Sequence, residues 1–566
     1  EETGDGEAVA TLSYVWDVNA SDNDYRYDTT VALQLGTEDE WEVRFTSTAV
    51  HPDLAPEDHL VREVSPAPRG SILGADGEVL VTERPVWRVG IDKTRITEAE
   101  LESSAAALAE FLELDPAPFT EQVLAAGPEA FVEAITLRQD SVSPPPVFQA
   151  DVAEIPGAAA LNSTLSLAPT RTFARALLGS AGEATAELIE NSDGALSAGD
   201  ITGLSGLQRE YDDLLRGTDS VTIATATPDD VRSAPLFQDA GSSGELHTTL
   251  DPAVQTLAES VLEDEPSASA LVAIQPSTGN VLAVANGPGS QGQQTALLGQ
   301  YAPGSTFKLA TTLAMLRSGS TPQATVGCPA ELNVDGRKFN NASTYPAQFL
   351  GEIPLIQAFA QSCNTAFINA RGDVSQASLA EAAGSLGIGI DSPIGTGAYF
   401  GSVPDSAEGT AHAASMIGQG QVLVSPFALA VAAASIGNGS RVSPVLVQES
   451  PTPETASPSA SASPSATQPG AAPLTAEEAA TLREMMRAVV TDGGVQLLGS
   501  VPGEPVLAKT GTAEFGSDVP PRTHAWVVAL QGDLAVALFI EEGELGSTSG
   551  GPVMKAFLDG LAASVQ

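Results

Sequence analysis

Polar and apolar residues alternate in three runs at the start of the chain, around Leu12–Val18, Tyr25–Leu35 and Trp41–Val50. Polar turns, Asn19-Ala20-Ser21-Asp22 and Gly36-Thr37-Glu38-Asp39, separate them. A period of two broken by turn residues predicts an antiparallel meander. A small α+β domain built on it needs helices over one face, and those are expected upstream of Glu1.

A new segment opens at Arg69-Gly70-Ser71-Ile72-Leu73, turns at Gly74-Ala75-Asp76-Gly77 and continues as a strand from Glu78 to Thr82. Helical stretches follow at Thr97–Leu112 and Pro118–Gly127. Residues 129–245 mix short strands and loops and hold nothing that reads as catalytic. Near His247 the pattern changes. Asp251 caps a helix to Leu262 with Pro252 at its first position. Ser269–Ile274 and Val281–Ala285 flank Gln275-Pro276-Ser277-Thr278-Gly279-Asn280, a hairpin signal. Helices alternate with loops to about Gly437. Residues 451–473 are Ser/Pro/Ala-rich, a low-complexity composition that builds no core. A helix at Thr475–Val490, a strand into Lys509, strands at His524–Leu530 and Leu534–Glu541, and a helix from Pro552 to about Ala562 complete the chain.

At 566 residues the chain exceeds one hydrophobic core. Its 42% hydrophobic and 17% charged residues give a globular balance rather than a disordered one. The net charge of −47 argues against nucleic acid or anionic lipid as a direct partner. No run of about 18 apolar residues predicts a membrane-crossing helix. The abrupt opening at Glu1-Glu2-Thr3 suggests a fragment whose membrane anchor has been removed. Cys328 and Cys363 form neither a disulfide scaffold nor a zinc site. They can pair in an oxidising compartment, although an isolated cysteine is more often a small buried hydrophobe. The histidines, His51, His59, His247, His412 and His524, show no metal-ligand spacing.

Lysine is scarce: Lys93, Lys308, Lys338, Lys509 and Lys555 are all there are. Two of the five lie in motifs. In Pro303-Gly304-Ser305-Thr306-Phe307-Lys308, the serine and lysine sit three apart at the start of an apolar helix, on one face of it. Free N–H groups and the helix dipole favour negative charge developing there. A serine needs a base to become a nucleophile, and a buried lysine can be that base. Taken alone, the pair fits a capping serine with a solvated lysine equally well. Lys509-Thr510-Gly511-Thr512 ends a strand. Its lysine and threonine hydroxyls suit a substrate carboxylate, and Gly511 permits close approach to the backbone. Between them, Ser362-Cys363-Asn364 places a proton relay and an amide-binding side chain toward one cleft, with Cys363 pointing away. A second Ser-x-Asn, Ser21-Asp22-Asn23, lies in a polar turn far upstream.

The order Ser-x-x-Lys, Ser-x-Asn, Lys-Thr-Gly is shared by penicillin-binding proteins and class A β-lactamases. The chain resembles class B penicillin-binding proteins over nearly its full length. Tyr301 to Lys308 is similar to their active-serine motif, Arg69 to Gly77 to the start of their pedestal, and Arg171–Gly179 and Ser205–Gly217 to further parts of it. Leu250–Gln255 looks like the opening of their transpeptidase domain, and Gly418-Gln419-Gly420 with Ser425-Pro426 like a later segment. Residues 1–60, ending in His51-Pro52-Asp53-Leu54, resemble the N-terminal domain of methicillin-resistance-type members.

The resemblance implies a multidomain α+β chain. Residues 1–60 would be a partial nuclear-transport-factor-like domain and 61–245 a mixed dimerisation or pedestal domain. Residues 246–566 would be a transpeptidase domain with an antiparallel sheet flanked by helices, as in serine β-lactamases, carrying 451–473 as a disordered insertion. It implies a D,D-transpeptidase in which Ser305 attacks the penultimate D-Ala carbonyl of a stem peptide and Lys308 takes its proton. Ser362 relays a proton to the leaving D-Ala, and Asn364 holds a substrate amide. Lys509, Thr510 and Thr512 bind the terminal carboxylate or its β-lactam mimic, beside Gly511. The N–H groups of Ser305 and Thr512 form the oxyanion hole. No metal or cofactor is implied. The implied partners are peptidoglycan stem peptides, β-lactams and a membrane-embedded glycan polymerase, at the outer face of a bacterial membrane. A β-lactamase shares the acylation chemistry, but no Glu-x-x-Leu-Asn-like element lies between Asn364 and Lys509. A β-lactam sensor would need transmembrane and cytoplasmic parts, and a non-catalytic scaffold would not need three intact motifs.

Overall fold

The structure, a computed structural model, describes residues 2–4, 6–19, 21–37, 40–141, 145–448, 471–518 and 520–564. Most of the Ser/Pro-rich segment, residues 451–470, lies outside these.

The expected meander forms. Glu7–Trp16, Tyr25–Leu35 and Trp41–Arg44 pair antiparallel, with Glu2–Gly4 added at one edge. Opposite residues share a face. Leu12, Trp16, Leu35, Trp41 and Val43 therefore lie together, and all are exposed. Tyr25, directly opposite Trp16, and Val18 anchor this sheet on Val221 and Ile223 of the strand Ser220–Ala226, which itself pairs with His59–Ser65.

The next layer is built on the long strand Val79–Asp92, which pairs with Phe131–Arg138 on one side and Ala158–Leu167 on the other. Helices Leu101–Phe111 and Pro116–Ala125 bury Leu101, Leu108, Phe119 and Val123 against Val89 and Ile91. Both helices start within a few residues of their expected positions. Arg69 is almost completely buried and bonds Gln208 and Asp212, so the Arg69-Gly70 turn and the segment after Ser205 are locked together.

From Pro252 onward one antiparallel sheet organises the chain. Its strands are β1 (Ser269–Ile274), β2 (Val281–Asn286), β3 (Leu507–Phe515), β4 (Arg522–Gln531) and β5 (Leu534–Ile540), in spatial order β2-β1-β5-β4-β3. β1 is buried along its whole length and β5 from Ala535 onward, which explains their almost wholly apolar sequences. Helices cover both faces. α1 (Pro252–Ser260), capped by Asp251, packs on β2 and against the C-terminal helix Gly551–Ser564. The other face carries the apolar helix Pro426–Asn438 and Ala476–Thr491, which begins with a Thr475/Glu478 capping box. Leu446 and Leu474, on either side of the Ser/Pro-rich stretch, belong to one core. β3 is the edge strand, and Lys509 and Gly511, opposite Val528 and Trp526, face the helices of that second side.

Candidate active site

Three segments meet at the β3 edge. The first is a 3-10 turn, Gly304–Phe307, that runs directly into α2 (Lys308–Arg317). In a 3-10 turn, residues three apart eclipse each other, so Ser305 and Lys308 lie on one side. The turn is pressed onto β3. A Cβ added to Gly304, which has φ +52°, would stand 2.3 Å from the Thr512 carbonyl oxygen. One added to Gly511 would stand 2.7 Å from Pro303 O and 3.0 Å from Thr306 N. Behind the turn, Gly304 N–H donates to Gly418 O at 2.9 Å. Trp526 Nε1–H donates to Ala302 O at 3.0 Å from the neighbouring strand.

The second segment is the break between α3 (Leu355–Ala360) and α4 (Asn364–Asn369). Ser362 holds φ +60° there, a conformation rare for a residue with a side chain. Cys363 is buried in a disulfide with Cys328, 35 positions earlier. The two cysteines are thus paired rather than separate buried hydrophobes, and the bond draws Cys363 away from the cleft. Asn341 fixes the same turn by accepting from Thr365 N–H at 3.1 Å and donating to Pro329 O at 3.1 Å.

The third is β3. A strand residue points its N–H and C=O to the same side. The Thr512 carbonyl lies over Gly304, at the open edge, so the Thr512 N–H faces that edge as well. The Thr512 hydroxyl accepts from Gly546 N–H at 3.1 Å, leaving its proton free to donate. Thr510 is half-buried beside it.

Lys308 and Lys509 are both fully buried and converge on Ser362. Lys308 Nζ donates to Ser362 Oγ at 3.2 Å, to Ser362 O at 2.8 Å and to Asn364 Oδ1 at 2.8 Å. Lys509 Nζ donates to Ser362 Oγ at 3.0 Å and to Thr510 O at 2.9 Å. Phenylalanine rings close the site: Phe367 lies 5.2 Å from Lys308 Nζ and Phe359 5.5 Å from Lys509 Nζ. No carboxylate pairs with either lysine among the described residues. Burial first, and the Lys509 charge second, push the Lys308 pKa well below the usual lysine value. Burial lowers that of Lys509 to about 7. Both amines are thus held below the ordinary lysine range, which brings a neutral, proton-accepting form within reach inside the site.

Every residue expected at the site from sequence is at this junction, with one difference in detail. Ser305 Oγ is partly exposed and has no hydrogen-bond partner among the described residues. Lys308 spends its bonds on Ser362 and Asn364. Hydrogen bonds of catalytic pairs are commonly loose without substrate and tighten in its complex.

The penicillin binding protein transpeptidase domain family matches residues 269–559, and the penicillin-binding protein dimerisation domain family matches residues 64–245. This chain belongs to the class B penicillin-binding proteins.

Its relatives agree. Peptidoglycan D,D-transpeptidase PbpA of Mycolicibacterium smegmatis is 30% identical over 392 residues, 61% of this chain and 76% of the relative. PbpA of Mycobacterium tuberculosis is 30% identical over 409 residues, 63% and 79% of the two chains. Penicillin-binding protein 3 of Bacillus subtilis is 24% identical over 583 residues, 95% and 83% of the two chains. In fold, the chain resembles a structure of the complex between penicillin-binding protein PBP2 and MreC from Helicobacter pylori. That match has a TM-score of 0.66 and 19% identity, covering 90% of this chain and 99% of the other.

Several residues that shape this penicillin-binding protein's site carry no sequence signal. Phe359 and Phe367 read as ordinary core of apolar helices, and Trp526 as a buried strand residue. Only the fold places them against two lysines and the loop before Gly304.

Proposed function

We propose that this class B penicillin-binding protein cross-links peptidoglycan stem peptides through an acyl-enzyme on Ser305. Lys308, as neutral amine, takes the serine proton, and attack on the penultimate D-Ala carbonyl follows. The Ser305 and Thr512 N–H groups receive the developing oxyanion; one such donor is worth about 3 kcal/mol of barrier. Ser362 relays the proton to the leaving D-Ala. Lys509, Thr510 and Thr512 hold the terminal carboxylate, Gly511 leaves room for the backbone to approach, and Asn364 holds a substrate amide. A neighbouring stem's amine then takes the acyl group. β-Lactams enter by the same route and stay attached.

The observation that carries this reading is the Ser362 hydroxyl held between two buried lysines of depressed pKa, beside the Ser305 turn. The test is labelling by a fluorescent penicillin followed by a chase with unlabelled drug. The reading expects stable label in the wild type and none in Ser305→Ala. Label that survives the substitution places the nucleophile elsewhere, and rapid release of hydrolysed drug makes the enzyme a lactamase.

We further assign residues 1–60, 61–245 and 246–566 as three domains, the first of them nuclear-transport-factor-like. The exposed apolar side chains Leu12, Trp16, Leu35, Trp41 and Val43, on a face whose Tyr25, Thr29 and Val31 are already buried, suit the helices that cover such a sheet. A membrane-embedded glycan polymerase is the proposed partner, at the outer face of the cell membrane. A second fold neighbour, with TM-score 0.65 and 23% identity, comes from a study of how a peptidoglycan synthase complex coordinates polymerisation and crosslinking.

A further inference from the structure

An open cleft of about 560 Å³ lies beside the proposed active site, between the 3-10 turn Ala370–Gly372 and α5 (Gly409–Ser415). Asn369, Arg371, Gly372, Glu408, Gly409 and His412 line it.

Two of these side chains lack the partners their burial and charge call for. His412 is only 8% exposed, yet its Nε2 is buried with no hydrogen-bond partner. Buried polar atoms are nearly always bonded, so such an atom beside a cleft marks the place of a ligand or an ordered water. Arg371 donates to Ile368 O at 3.1 Å. In a chain with 72 acidic side chains, it has no carboxylate within ion-pairing distance among the described residues. The remaining guanidinium donors are free to form a fork, the geometry that carboxylates and phosphates fit.

We propose that this cleft binds an oxyanion, with Arg371 supplying the charge and His412 Nε2–H and the second amide hydrogen of Asn369, whose Nδ2 also donates to Gly327 O at 3.3 Å, completing the donors. A neutral His412 with its proton on Nε2 is the form suited to donate. Burial and the neighbouring Arg371 charge both favour the neutral ring. Two acids are near: Glu408 lines the cleft but is exposed, and the exposed Asp335 carboxylate packs against Gly409 from the strand turn opposite. Exposed charges are screened by water and salt far more than a buried ligand contact is.

The cleft shares its walls with the catalytic segments. α4 begins at Asn364 and ends at Asn369. α5 runs on into Met416, whose carbonyl accepts from Thr311 on α2 at 2.9 Å, and into Gly418, which holds Gly304. Resting on the transpeptidase reading above, we assign the occupant as a carboxylate of a peptidoglycan stem, at a position other than the reacting D-Ala. A phosphate offers the same oxygens and is the competing source.

The test is NMR of the full chain with ¹³C-labelled histidine, His412 being assigned by the signal missing in His412→Gln. Inorganic phosphate, a stem tripeptide with free carboxylates and the same tripeptide amidated are titrated in turn. The proposal expects a saturable His412 shift with the free-acid tripeptide, at least tenfold weaker binding in Arg371→Gln, and partial recovery in Arg371→Lys. Recovery by lysine separates loss of charge from loss of fold. Saturation by phosphate alone keeps the oxyanion site and overturns the stem carboxylate as occupant. No saturable shift with any of the three, or equal binding by wild type and Arg371→Gln, overturns the site. Penicillin labelling of the same wild-type sample reports on Ser305 independently, so failure of the cleft and failure of the transpeptidase reading are distinguishable.

Discussion

Lys509 Nζ donates to Ser362 Oγ at 3.0 Å, across 147 residues of sequence. Lys308 reaches the same hydroxyl from the opposite side. Two buried amines sharing one small acceptor cannot both hold a proton at low cost. In the proposed mechanism one of them serves as the base and the other as the cation.

The pH dependence of acylation should report it. The proposed mechanism requires Lys308 neutral, so kcat/KM is expected to rise with pH through a Lys308 pKa depressed by burial and the Lys509 charge. It falls again as Lys509, with a pKa of about 7, loses the charge that holds the carboxylate. The bell belongs to the pair as macroscopic values. Penicillin acylation rates from pH 5 to 10 give the profile; a rate still climbing at pH 10 would mean an ordinary lysine.

Stability should carry the same signature. Below about pH 7, Lys509 is protonated in both folded and unfolded chains. Between about 7 and the ordinary lysine value of 10.5, only the unfolded chain keeps that proton. Stability therefore rises with pH across this window, by up to about 1.4 kcal/mol per unit for one such lysine. Lys509→Met should flatten the slope in denaturant titrations and lower kcat/KM roughly tenfold to a hundredfold, the worth of a charged hydrogen bond.

Lys308→Met should leave the protein folded, because a buried amine gives way to an apolar chain of similar length. Acylation should drop roughly 10²–10⁴-fold, the usual contribution of a general base. Loss of acylation in a protein that still unfolds cooperatively, with a melting temperature lowered only by the lost bonds to Ser362 and Asn364, is the expected pair of readings.

Gly304→Ala puts a methyl group 2.3 Å from the Thr512 carbonyl, against backbone that cannot rotate away. The turn must move off β3, separating Ser305 from the Thr512 N–H. Acylation should fall at least a hundredfold, with a lower melting temperature; a fully active variant would place the oxyanion site elsewhere.

Reducing Cys328–Cys363 should destabilise the transpeptidase domain by about 4 kcal/mol, from the entropy of a loop closed over 35 residues. Thermal melts with and without a phosphine reductant measure it.

Much of this is legible in the sequence. The three motifs are rare residue types in a fixed order, and all converge at the β3 edge. Alternation predicted the meander, and Asp251-Pro252 and Thr475 with Glu478 marked helix starts because capping is local chemistry. What the sequence left open depends on contacts between distant segments. The Cys328–Cys363 pairing rests on a strand and a turn brought together by the fold. The roles of Phe359, Phe367 and Trp526 depend on which apolar side chain faces a lysine and which faces other core. The free Ser305 hydroxyl was also out of reach, because the spacing that puts Ser305 and Lys308 on one face does not decide which partner the lysine selects.

The most direct test of the central claim is cross-linking itself. Purified protein is given a synthetic donor ending in D-Ala-D-Ala and a peptide amine acceptor, and products are followed by mass spectrometry. The account predicts release of one D-Ala per new amide bond, a covalent intermediate on the Ser305 peptide, and neither in Ser305→Ala. Cross-linked product formed as readily by Ser305→Ala would contradict it.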